Sequence, residues 1–405
     1  MTETIIVEGA EAIALTSLRL ASAQCLAIDV ESNGLHAYRA SLCTLQIGVV
    51  DGDADVVSTV YVVDSLGVSD AELAPLRAPL GDAGPRKLVH DLAFDARLLA
   101  RRGVPIGRLF DTSIAARFLG VTSTGLAALV AARVGATLSK ELQHHDWARR
   151  PLGPEVLPYL AADVAHLPAL ARSLEADIES KGIALEVEAE TAFRLAGALA
   201  DLDDLDPRPP YARIKGASEL DPIALAVLRR LAEVREGAAQ RWDVPAFKVL
   251  GNEQLLQLAR KRPSTLHDAR AIPGVDRGRG ASLGPELLAA IAHGAREADV
   301  PAAERDAFFA RPPPPARALV EARRAREHRL SAFRRAEAKR RGVDEQVVLP
   351  GHCLQEIADR APSTREELAT IGGIAETRID RYADEILRAV AGEAGAIDAG
   401  RTPPG

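Results

Sequence analysis

In the first half of the chain, apolar positions fall in short unbroken runs. In the second half they recur at helical spacing. Residues 25–28 (CLAI) form an apolar run that delivers Asp29, Val30 and Glu31. Further runs rich in β-branched residues lie at 43–50, 58–63, 86–90 and 104–110. Runs of this length, bounded by turn residues, predict buried strands. Breaks at Ser41-Leu42 and Asp51-Gly52-Asp53 make the first three an antiparallel meander. Phe94, Leu98 and Leu99 have helical spacing, and from Thr112 the pattern is helical to about Ala200, with a break at Gly120. Strands followed by helices predict an α/β domain over residues 1–200, a mixed five-stranded sheet covered by helices.

Residues 201–216 (DLDDLDPRPPYARIKG) are acidic and proline-rich, and read as a linker. The remainder is helical and internally repeated. Arg262-Pro263-Ser264-Thr265 resembles Ala361-Pro362-Ser363-Thr364, and the same offset of 99 residues pairs Leu231 with Leu330, Arg235 with Arg334 and Gly274 with Gly373. Pro-Ser-Thr before a helical stretch reads as a stop followed by a new N-cap. The glycine after each repeat's isoleucine (Ile272, Ile371) suits a tight turn close to a partner surface. Two all-α units are expected at 217–297 and 317–392. A stiff proline spacer at 298–316 separates them, and a disordered tail follows at 393–405.

Composition changes this picture little. With 47% hydrophobic and 26% charged residues, the 405-residue chain has the balance of a water-soluble globular protein. A net charge of −7 does not announce nucleic-acid binding, though a local basic patch acts independently of it. Basic residues do cluster at 323–341, which would serve as a solvated helix face or as phosphate contacts. Three cysteines without a C-x-x-C pair fit a reducing cytoplasm. The opening MTETIIVEGAEAIAL lacks a basic stretch, so neither a signal peptide nor a membrane association is expected.

The candidate chemistry lies in three acidic motifs. Asp29 and Glu31 are two apart on a strand, so they share one face. Carboxylates that close repel one another, and burial raises their pKa values; a bound cation removes the conflict. Asp95 falls in the first turn of a helix, where the macrodipole favours an acid whatever its role. Tyr159 and Asp163 are four apart on a predicted helix and share a face. His90, His144 and His145 lack the spacing of a histidine metal site and read as polar loop residues.

The order D-x-E, H-x-x-x-F-D, Y-x-x-x-D resembles the DEDD 3′–5′ exonuclease superfamily in its tyrosine variant. Phe110-Asp111-Thr112 and residues 140–152 (KELQHHDWARRPL) point within it to the ribonuclease D family, and the tandem repeats resemble HRDC domains. The resemblance implies an RNase H-like exonuclease domain and metal-dependent 3′–5′ removal of nucleotides from single-stranded RNA ends, with tRNA precursors among the substrates. It also implies two divalent cations, Mg2+ or Mn2+, held by Asp29, Glu31, Asp95 and Asp163. Asp29 would bridge them, and Tyr159 would orient the attacking water. By analogy Leu35, His36 and Phe94 would wedge and stack the terminal bases. Two alternatives remain: a DNA 3′–5′ exonuclease, which the motif DVESNGL favours, and an inactive RNA-binding module.

Overall fold

The computed structural model describes residues 3–392 apart from 53–55, 201, 203–205 and 311–314. Among the described residues the sheet has six strands, one more than expected, in the order β1-β4-β3-β2-β5-β6. They are β1 (Glu3–Val7), β2 (Cys25–Ser32), β3 (Leu42–Val50), β4 (Thr59–Asp64), β5 (Arg86–Val89) and β6 (Leu109–Asp111). The extra strand is β1, which joins the edge parallel to β4. Its five residues are mostly exposed or half-buried, so no long apolar run marks it in the sequence. The meander β2-β3-β4 is antiparallel as expected, while β5 and β6 add in parallel beside β2. Of the run expected at 104–110 only 109–110 is strand, which continues to Asp111; Val104 and Ile106 are buried from a loop instead. β3 is buried along its whole length, as the strand at the centre of a sheet covered on both faces must be.

The principal helices of this domain are α1 (Gly9–Ala21), α2 (Leu92–Arg101), α3 (Thr112–Phe118), α4 (Leu126–Arg133), α5 (Leu157–Ala165), α6 (Leu167–Lys181) and α7 (Ala184–Ala200). The helical stretch expected from Thr112 to Ala200 is interrupted between α4 and α5. Residues 134–156 form turns, since Gly135, Pro151, Gly153 and Pro154 break any helix there.

Two smaller cores follow. One is built on α8 (Pro222–Arg241), α9 (Asn252–Lys261) and α10 (Gly284–Glu297). The other is built on α11 (Arg317–Arg341), α12 (Gly351–Arg360) and α13 (Glu376–Ala391). The repeat is visible in the capping. The Thr265 hydroxyl accepts from Asp268 N–H at 3.2 Å, and at the matching position the Thr364 hydroxyl accepts from Glu367 N–H at 3.2 Å. Residues 201–216 are not all connector, because Tyr211 and Ile214 are buried in the first helical core. Residues 311–314, which hold most of the proline run, and the tail 393–405 lie outside the described residues.

Candidate active site

Asp29 and Glu31 stand at the C-terminal end of β2, opposite Gln46 and Thr44 of β3. The pairing register shifts between Glu31 and Ser32, the last residue of the strand. Asp95 lies in the first turn of α2 and is buried. That helix starts from Asp91 in the left-handed region at φ 63°, an uncommon conformation for a residue with a side chain. The turn is held by Asp111. Its carboxylate accepts from Leu92 N–H at 2.8 Å and from Ser113 N–H at 2.8 Å, closing the starts of α2 and α3 together. Tyr159 and Asp163 share one face of α5. The Tyr159 ring lies 5.7 Å from the buried Trp147 ring, centroid to centroid.

Carboxylate oxygens of Asp29, Glu31 and Asp163 all lie within 4.8 Å of one another. Asp95 stands beside this group, close enough for its charge to be opposed by those of Asp29 and Glu31. Burial, then the charge of Asp163, pushes the Asp29 carboxyl well above its usual range. Burial and the charges of Asp29 and Asp163 push Glu31 up to about 9. Burial pushes Asp163 up to about 7. Burial, with Asp29 next, raises Asp95 well above its usual range. Burial raises the Tyr159 phenol too, with help from the negative charges of Asp163, Glu31 and Asp29. A set of oxygen donors this crowded suits a hard divalent cation, which would keep the acids ionised.

Leu35 and Phe94 are exposed at 45% and 50%; Leu35 comes four residues after Glu31, and Phe94 immediately precedes Asp95. His36 is half-buried, and its Nε2 is 3.0 Å from the His144 carbonyl oxygen. His90 Nδ1 is 2.8 Å from the Thr112 hydroxyl, and His145 packs edge-on against Trp147. Asp146 accepts from Ala148 N–H at 3.2 Å, an intraloop bond.

The chain matches the family described as 3'-5' exonuclease over residues 4–179 and the HRDC domain over 224–291 and 323–390. Ribonuclease D of Granulibacter bethesdensis is 32% identical over 295 residues, spanning 71% of each chain. Ribonuclease D of Acidiphilium cryptum is 29% identical, over 77% of this chain and 78% of that one. The structure of Escherichia coli RNase D, an exoribonuclease involved in structured RNA processing, superposes at a TM-score of 0.64. It does so with 22% identity, over 97% of this chain and 99% of that one. The catalytic core of RRP6 from Trypanosoma brucei gives a TM-score of 0.59 with 23% identity, over 73% and 81%.

The chain belongs to the ribonuclease D family. It is thus a 3′–5′ exoribonuclease by family, with an exonuclease domain and two HRDC domains. Divalent metal use goes with this exonuclease fold, and the carboxylate cluster supplies the donors for it. No helix among the described residues is long and apolar enough to cross a membrane.

Two features of this ribonuclease D site escaped the sequence reading. Arg150 donates two hydrogen bonds to Asp64, at 2.5 and 2.7 Å, and others to the carbonyls of Cys43 and Trp147 at 3.0 and 2.8 Å. It thereby ties the segment under Tyr159 to β3 and β4. Burial alone would raise the Asp64 carboxyl, but the Arg150 hydrogen bonds outweigh it and hold it below its usual range. The second feature is the buried pair Gln46 and Thr44, joined by a 2.7 Å hydrogen bond from the Gln46 amide. Two polar residues two apart in the apolar run LCTLQIG were the available signal: they share the face of Asp29 and Glu31.

Proposed function

We propose that this protein removes nucleotides from the 3′ ends of single-stranded RNA in the cytoplasm, with structured precursors such as tRNA as its substrates. We assign it two divalent cations, Mg2+ or Mn2+, held by Asp29, Glu31, Asp95 and Asp163. The reading is carried by one observation: carboxylates from β2 and α5, 134 residues apart for Asp29 and Asp163, meet within 4.8 Å. Bound cations would supply positive charge against the charge that develops on the attacking and leaving oxygens of phosphodiester hydrolysis.

The chain's own residues do the rest. Asp29 faces both Asp163 and Asp95 electrostatically, which suits the shared ligand between two ions. Glu31 and Asp163 would hold one ion, and Asp95 would support the other. With its pKa raised, the Tyr159 phenol stays protonated at neutral pH, so it orients a water and does not take its proton. The packing of Trp147 against the Tyr159 ring fixes that orientation. Leu35, His36 and Phe94 would receive the terminal bases. Three unpaired cysteines suit a reducing compartment.

The deciding experiment compares parent and Asp29→Ala on labelled RNA and DNA of identical sequence, with Mg2+, with Mn2+ and with chelator. Stepwise 3′ shortening of RNA by the parent alone, lost with chelator, is the expected result. Equal degradation by Asp29→Ala would overturn the assignment, and a preference for DNA would overturn the substrate.

A further inference from the structure

We propose that Tyr38 is the positioning residue through which the first helical unit holds the loop 33–41, the loop that leaves the strand of Asp29 and Glu31. That loop leaves β2 two residues after Glu31 and carries Leu35 and His36. Its base is closed by Asn33, whose side-chain oxygen accepts from Ser41 N–H at 2.8 Å and whose carbonyl accepts from His36 N–H at 2.7 Å. Its far side is held by α8, about two hundred residues later in the chain. Tyr38 N–H donates to Asp243 Oδ1 at 3.1 Å. The Tyr38 hydroxyl donates to Glu236 Oε2 at 3.1 Å and accepts from Gln240 Nε2 at 3.1 Å. The Tyr38 ring packs against the core of the helical unit.

Three bonds to one side chain and its own amide, all from one helix and the turn after it, make an anchor and not a chance surface contact. The internal repeat gives an independent comparison. The second unit carries Arg335, Lys339 and Gly342 where the first carries Glu236, Gln240 and Asp243. The acceptors and donor that fit a tyrosine are therefore specific to the first unit. A short loop fixed at its base, at the His144 carbonyl and at α8 has little freedom left, so Leu35 and His36 are presented in one place. An ordering cost that RNA would otherwise meet on binding is already met by the fold.

The proposal deepens the reading of Leu35 and His36 as RNA contacts, and its test separates the two. The variants are Tyr38→Phe, Tyr38→Ala and, from the helical side, Gln240→Ala/Asp243→Ala. Each is assayed on a single-stranded RNA oligonucleotide and on bis-p-nitrophenyl phosphate with Mn2+, which needs the acidic site but not the loop. Amide hydrogen exchange of residues 35–39 is followed in the same full-length proteins. For Tyr38→Ala and the helical-side double variant, KM for RNA should rise about tenfold with kcat changed less than twofold. Hydrolysis of the small diester should be unchanged, and exchange in the loop should be faster. Combining the two should add no more than either alone, and Tyr38→Phe should be intermediate. Unchanged loop exchange in the helical-side variant, an unchanged KM, or an equal loss on the small diester would overturn the anchor. If the parent leaves RNA intact while loop exchange still accelerates in the variants, the anchor stands and the RNA reading fails.

Discussion

The acidic site holds its charges against the preference of the fold, and this makes its pH behaviour specific. Glu31 is raised from 4.5 to about 9 and Asp163 from 3.8 to about 7. A carboxyl raised on folding binds protons more tightly in the folded state. Its stabilising contribution is therefore complete below its unfolded value and is lost as pH climbs through the folded one. In chelator, the melting temperature should fall between about pH 5 and 9. With excess Mn2+ the fall should shrink, because cation binding requires the ionised acids and strengthens as they lose protons. Melting curves across that range, with and without metal, check this; parallel curves would contradict it. Asp163→Asn separates charge from fold. It should abolish hydrolysis yet stabilise the metal-free protein at pH 8 by about 1–2 kcal/mol, the scale of one pKa unit of relieved repulsion. A loss of stability would mean that Asp163 is held by favourable contacts.

At the scale of elements, α5 carries Tyr159 and Asp163, and the turns before it set their position. Arg150 bridges those turns to Asp64 at the end of β4, and Asp64 is buried. Arg150→Ala leaves an uncompensated buried carboxylate and should cost about 3–5 kcal/mol, read by urea denaturation. Hydrolysis should fall with it, since Trp147 would lose its tether beneath Tyr159. Tyr159→Phe keeps the ring on Trp147 and loses only the hydroxyl; its stability should be unchanged and its rate on RNA should fall steeply but not to zero. An unchanged rate would remove the hydroxyl from the mechanism. Such contrasts also mark what the sequence makes legible. Asp29 and Glu31, or Tyr159 and Asp163, announce themselves because the period of one element puts both on one face. The threonine caps at Thr265 and Thr364 are likewise local. Arg150 and Asp64 are 86 residues apart, and Asp111 reaches 19 residues back to Leu92. No periodicity encodes such pairs; they exist only once the sheet and helices are assembled. The turns at 134–156 have apolar spacing that reads as helix, because such spacing is insensitive to the breakers within it.

At the scale of the molecule, much of the basic run of the second helical unit is engaged in ion pairs with the protein's own acids. Arg323 pairs with Asp359, Arg334 with Glu345, Arg340 with Glu337 and Arg341 with Glu186. Glu186 and Glu190 lie on α7 of the exonuclease domain and are only 3% and 2% exposed, because the second unit covers them. Arg381 of α13 donates to Glu186 at 2.9 Å, and His352 stacks on Phe193 at 4.2 Å between ring centroids. The glycine turn of the repeat has its partner surface here. A Cβ on Gly373 would come within 2.7 Å of the Phe193 ring, whereas the matching Gly274 faces Gln254 of its own unit. The two copies therefore serve different surfaces of one exonuclease domain. The first meets the loop beside the acids; the second meets α7 on another side of the domain. Glu186→Ala leaves Arg341 and Arg381 without their shared partner, and Arg341 is poorly exposed. It should destabilise the protein by about 3 kcal/mol. It should also speed amide exchange in α7 and α13 together, while hydrolysis of a small phosphodiester stays as in the parent. Exchange that rises in α13 alone would mean that the covered acids do not hold the second unit in place.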